Sequence, residues 1–189
     1  MFHVSSFKFH DFMDKKFKIQ HKDKIIPNGE LKGALKGKGG LIFCKSCNSV
    51  YYKKSWHHNL LYYKNLREDL AVSFMLCPAC KMIESKKFEG QIVINDLPKN
   101  LHENAINLIE AFCHRARQKD PMDRLIDIKK TNGGLTVFTT ENQLALRLAH
   151  KIKDAFKKMD MKISYSPSPT NAVYVTLTFL PPKEEKTSF

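Results

Sequence analysis

The chain has 189 residues, 42% of them hydrophobic, which is enough apolar material for one ordinary domain or for a small module joined to a larger one. Its 32 Lys and Arg against 19 Asp and Glu give a formal charge of +13, an excess that points to a polyanionic partner such as nucleic acid, with an anionic membrane surface or an inert basic surface as alternatives. No stretch approaches the roughly twenty uninterrupted apolar residues of a spanning helix, and charged residues break up the first thirty positions; membrane spans and a secretory signal are therefore not expected, and the cytoplasm is the expected compartment.

Residues 1–40 carry scattered Phe, Lys and His with no helical or alternating period, and then the glycine run Gly29, Gly33, Gly37, Gly39 and Gly40. They read as a mobile basic arm that either threads along a phosphate backbone or serves as a tail without a specific role.

Residues 41–89 form a cysteine module. Leu41-Ile42-Phe43 and Val72-Ser73-Phe74-Met75-Leu76 each read as a strand leading into a cysteine pair. Val50-Tyr51-Tyr52, Trp56, His57 and His58 lie between the pairs, and Leu60 to Leu70 could hold a short helix or a loop.

Residues 90–180 are more regular. Ile92-Val93-Ile94 reads as a strand. Leu101, Ala105, Leu108, Ile109 and Phe112 then recur at helical spacing until Asp120-Pro121 stops them. Leu125 to Ile128 and Leu135 to Phe138 read as strands joined through the turn residues Thr131-Asn132-Gly133-Gly134. Thr140 with Gln143 has the capping-box pattern, opening a helix with Leu144, Leu148, Ala149, Ile152, Ala155 and Met159 on its buried stripe. Ile163-Ser164-Tyr165 and the alternating Val173, Val175, Leu177, Phe179 are the last strands, followed by a frayed tail over 181–189. The expected fold class is α+β: a four-cysteine zinc ribbon, then an antiparallel-rich sheet with two helices on one face, in a split βαββαββ order of ferredoxin-like character.

Cys44-Lys45-Ser46-Cys47 and Cys77-Pro78-Ala79-Cys80 carry the chemistry. In each, two intervening residues let the backbone turn around an ion, and in a reducing compartment such pairs are metal ligands rather than disulfides. Four thiolates at about 2.3 Å in a tetrahedron leave no position for water, so one structural zinc ion is expected. A rubredoxin-like iron centre is the rival, although Asn48 and Lys81 stand where glycine commonly follows such pairs; a redox dithiol would need one pair only. His57 or His58 could replace a cysteine, but four thiolates already complete the shell. They fit better on the surface, where with Tyr51, Tyr52, Trp56, Lys53, Lys54 and Lys64 they have the composition of a base-stacking or phosphate-contacting patch; Trp56 could equally fill the core around the metal. Cys113 has no base near it in sequence and reads as a buried structural thiol. His114, Arg115, Arg117 and Lys119 suit the C-terminal end of a helix dipole and could also meet a polyanion. No phosphate-binding glycine loop, no G-x-S-x-G and no paired carboxylates occur, so an enzyme is not expected.

Cys77-Pro78-Ala79-Cys80-Lys81-Met82-Ile83, Arg115-Ala116-Arg117, Asp120 to Ile126, and Thr139-Thr140 before Leu144 to Ala149 together resemble small bacterial zinc-ribbon proteins related to the nonsense-mediated-decay-three family, the export adaptor of the large ribosomal subunit. The similarity spans about 43–179. That adaptor has two zinc knuckles and further domains, whereas this chain has cysteines for one knuckle. The resemblance implies a protein that binds ribosomal RNA or the ribosome, at the large subunit, in assembly or dormancy. The residues themselves nominate Lys45, Lys53, Lys54, Lys81, Lys86, Lys87, Arg115 and Arg117 as phosphate contacts. The expectation is a monomer without membrane or small-molecule partner; the alternatives are a thiolate-iron electron carrier and a zinc-stabilised protein–protein adaptor.

Overall fold

The computed structural model describes residues 40–63, 70–167 and 172–180. The basic arm, apart from Gly40, and the tail over 181–189 lie outside them. The chain divides into two compact units between Cys77 and Pro78.

The first unit is a four-stranded sheet in the order β3-β2-β1-β4, built from β1 (Leu41–Cys44), β2 (Val50–Tyr52), β3 (Ser55–His57) and β4 (Val72–Met75). Both runs expected to lead into cysteine pairs are strands. They are parallel neighbours, with Leu41 opposite Val72 and Cys44 opposite Met75. The apolar core is small: Leu41, Phe43 and Val50 are buried, with Tyr52, Leu60, Leu70 and Val72 packed against them. At about 2 kcal/mol for each buried side chain, such a core falls short of the roughly 1–2 kcal/mol per residue lost in ordering the backbone.

Lys53 and Lys54 form the two-residue turn between β2 and β3, with φ of 47° and 69°. Left-handed conformations at both central positions match a type I′ turn, which normally takes Asn-Gly because other residues lose about 1 kcal/mol or more there. The double substitution Lys53→Asn, Lys54→Gly is expected to stabilise this hairpin by about 1–2 kcal/mol. A denaturation midpoint that stays put or falls would contradict the turn geometry.

The second unit contains α1 (Pro78–Glu84), β5 (Gly90–Asn95), a 3-10 turn (Lys99–Leu101), α2 (His102–Lys119), β6 (Leu125–Thr131), β7 (Gly134–Thr139), α3 (Asn142–Phe156), β8 (Met159–Tyr165) and β9 (Val173–Phe179). From β5 onward the element order is the one expected from the pattern of apolar residues. The sheet runs β6-β7-β5-β9-β8; all pairings are antiparallel except β5 with β9. A four-stranded split arrangement would put β8 beside β5. Here β9 takes that place, because its Val173, Val175 and Leu177 are buried while β8 is exposed along most of its length.

Ala105, Ile109, Cys113 and Ala116 of α2 and Leu144, Ala145, Leu148, Ala149 and Ile152 of α3 share one core with Ile92, Ile94, Leu135, Val137 and the inward residues of β9. Both helices thus cover the same sheet face. The α3 stripe stops at Ile152: Ala155 is exposed and Met159 opens β8, since the helix ends at Phe156 and Lys157 turns the chain at φ 54°. Among the described residues no helix is long and apolar enough to cross a membrane.

The start of α3 departs from the capping-box expectation. Glu141 occupies the cap position without a side-chain cap bond. The Thr140 hydroxyl is used elsewhere, donating to Met122 O at 2.6 Å. Burial raises the Glu141 carboxyl to about 7 from an ordinary value of 4.5, with the charges of Glu89, Asp123 and Asp120 adding to the effect. The folded state therefore favours protonated Glu141; that stability is complete below pH 4.5 and is lost as pH rises through 7. Glu141→Gln is expected to raise stability relative to wild type by about 1 kcal/mol at pH 8, the full linkage value being reduced for a half-exposed group. The gain should vanish near pH 5, and urea titrations at the two pH values compare them. Equal effects at both would refute the shift.

Candidate metal centre

β1 and β4 run side by side in the same direction, and each ends at a cysteine pair. Parallel pairing therefore delivers both pairs to one end of the sheet, and the β2–β3 hairpin between them in sequence extends the sheet on the far side of β1 and does not separate them. The first pair closes through Asn48, whose φ of 60° lets the chain double back; Asn48 N donates to Cys44 O at 3.1 Å and Cys44 N to Ser49 O at 2.8 Å. Asparagine is one of the few side chains that tolerates this conformation, so it does the work of the glycine common at this position. The second pair needs no such residue, because Pro78 starts α1 and Lys81 continues it.

The Sγ atoms of Cys44, Cys47, Cys77 and Cys80 all lie within 4.8 Å of one another. Cys47 Sγ and Cys77 Sγ are 3.7 Å apart, close to the edge of about 3.8 Å in a tetrahedron with metal–sulfur bonds of about 2.3 Å. None of the four is in a disulfide, and Cys44, Cys77 and Cys80 are buried. Cys77 N donates to Cys44 Sγ at 3.2 Å, and the Cys47 thiol donates to the Ser49 hydroxyl oxygen at 3.2 Å. Donor set and spacing both fit one metal ion, and the four sulfurs can hold it. No protein-family model matches the chain, and no curated protein does either. The centre is thus defined by its own geometry.

His57 is not part of the group. Its Nε2 lies 2.8 Å from Ser55 Oγ, 3.2 Å from Tyr52 O and 3.4 Å from the Tyr63 hydroxyl, so it serves the hairpin, and its ring meets Tyr63 edge-on. Trp56 pairs across the ladder with Tyr51, ring centroids 5.5 Å apart, and is half-buried outside the small core. Cys113 is buried on α2, and desolvation, with Asp123 adding, pushes its thiol up to about 12, which leaves it protonated and inert.

The eight residues nominated as phosphate contacts are all exposed. Lys45 sits in the first knuckle and Lys53 and Lys54 at the hairpin tip; Lys81 is on α1, Lys86 and Lys87 follow it, and Arg115 and Arg117 lie near the end of α2. Two residues that meet the cysteines were not legible in the sequence. They are Ser49, beside Cys47, and Arg124, whose Nη1 donates to Cys80 Sγ at 3.4 Å. A serine two places past a pair is a weak signal, and Arg124 is brought to Cys80 by folding alone.

Proposed function

We propose that the protein is a zinc-stabilised RNA-binding protein that docks on ribosomal RNA or on the ribosome, at the large subunit, during assembly or dormancy, and that it acts by binding and not by catalysis. The observation that carries this reading is the hairpin tip. Lys53 and Lys54 project from a turn held in left-handed conformations, and Lys53 Nζ stands 5.5 Å from the ring centres of both Tyr52 and Tyr63. Among the described residues neither lysine has a carboxylate within ion-pair distance. An ammonium braced by aromatic faces and not neutralised by an acid keeps its charge available for phosphate, and the neighbouring rings suit unstacked bases. The net charge of +13 and the family resemblance support the same reading.

Zinc is the ion that a closed four-thiolate site favours. Iron would use the same sulfurs and colour the protein, so a colourless sample with stoichiometric zinc separates the two. For the RNA reading, the protein is expected to sediment with excess ribosomes through sucrose at low salt and to be released as salt rises, because phosphate contacts are lost to counterions. Lys53→Glu with Lys54→Glu should weaken this association about tenfold or more. Protein that stays at the top of the gradient at low salt refutes the proposal.

A further inference from the structure

We propose that Arg124 is the electrostatic partner of the metal centre: its guanidinium offsets the charge of the metal–thiolate group through Cys80 and so sets how tightly the ion is held. The inference rests on reading the four cysteines as a metal centre.

Four thiolates around a divalent ion carry two net negative charges. Cys44, Cys77 and Cys80 are 1%, 0% and 3% exposed, so this charge is removed from water, which is costly unless opposite charge or hydrogen bonds meet it. Arg124 is itself only 7% exposed. A guanidinium stays ionised at any pH the fold survives, so its burial carries a penalty of the opposite sign. The Nη1–H···Sγ contact at 3.4 Å brings the two together. A charged donor reaching a thiolate offsets both penalties, while the same donor facing a neutral thiol would offset neither.

The placement is built into the fold. Arg124 Nε donates to Pro121 O at 2.8 Å, which fixes the side chain part-way along its length. Its backbone is clamped to buried Thr140: Arg124 N donates to Thr140 Oγ1 at 2.9 Å, and Thr140 N donates to Arg124 O at 3.0 Å. The neighbouring acid, Asp123, is engaged by Arg147. Arg124 is thus held where its outer nitrogen meets Cys80, which makes it a positioning residue for a metal ligand, of the kind whose loss commonly weakens metal binding by about ten- to a hundredfold.

The test uses the full-length metal-loaded protein, with Arg124→Gln and Arg124→Lys. Zinc affinity is read by competition with a chromogenic chelator. Arg124→Gln should weaken it about tenfold or more and Arg124→Lys less, since lysine keeps the charge but loses the fork. The second readout is the thiolate-to-metal charge-transfer band of the cobalt-loaded protein, which should shift in Arg124→Gln because the Cys80 sulfur loses a donor; a role in folding alone would leave it in place. Wild-type affinity and an unshifted band in folded Arg124→Gln overturn the proposal, as does an Arg124→Lys protein as impaired as Arg124→Gln. Should Arg124→Gln fail to fold, Arg124→Lys decides: a measurable loss of affinity with a shifted band supports the role, and values equal to wild type overturn it. A wild-type protein that takes up no zinc overturns the metal reading itself and this proposal with it, before any variant is compared.

Discussion

Removing the metal, by chelation or by Cys77→Ser, is expected to unfold the β1–β4 sheet while the β5–β9 sheet stays folded. The first unit buries Leu41, Phe43 and Val50 as its core, too little apolar surface to hold four short strands. Structural zinc sites contribute on the order of 10–16 kcal/mol at neutral pH, so the ion would outweigh every other term in that unit. The second unit has its own core, drawn from two long helices and five strands, and Ile92, Leu135, Leu144, Leu148, Ile152 and Leu177 are fully buried in it. Amide hydrogen exchange separates the two: protection in β1, β2 and β4 should fall by a hundredfold or more on adding chelator, while β5, β7 and β9 keep theirs. A β1–β4 sheet that stays protected without metal would contradict this.

Gly134→Ala is expected to destabilise the second unit by about 3–5 kcal/mol. A β-carbon at Gly134 would overlap the carbonyl group of Ile94, and those atoms are backbone that cannot rotate away. Relief requires parting β5 from β7 beside Ile94 and Leu135, which are paired in the ladder and buried in the core. The neighbouring Gly133→Ala is the control. An added β-carbon there meets nothing within 4 Å, and its φ lies outside the left-handed region, so its effect should stay within about 1 kcal/mol. Equal midpoints for the two variants in a urea titration would refute the contact.

Much of the second unit was legible because its apolar residues recur at the period of the element that carries them. Ala105 and Ile109 on α2 and Leu144, Leu148 and Ile152 on α3 fall on the stripes read from the sequence. What periodicity cannot supply is lateral order in a sheet. Nothing local in Val173 to Phe179 says that β9 rather than β8 lies beside β5; that depends on the competition between two strands for a buried position. Turn chemistry placed the β6–β7 hairpin correctly, with Thr131 opposite Gly134, but not its backbone conformation. Asn132-Gly133 has the composition of a left-handed turn, yet neither residue adopts one, whereas Lys53-Lys54 does so against its intrinsic preference. Thr140 likewise carries a capping signature, but its hydroxyl bonds to Met122, because a tertiary partner outcompeted the local one.

The candidate centre was legible in its ligands and not in its surroundings. Two Cys-x-x-Cys pairs name the four sulfurs, since few other uses need that spacing twice. Why they meet follows from the parallel pairing of β1 with β4, and what surrounds them follows from Arg124, forty-four residues beyond Cys80 in sequence. A lone arginine ahead of a strand carries no sign of such a role.

The most direct test of the account is X-ray absorption on the purified protein together with its metal content. One zinc ion per chain with four sulfur neighbours at about 2.3 Å is the predicted result. A protein that is metal-free as purified and after zinc addition, or an ion with nitrogen or oxygen among its neighbours, would contradict it.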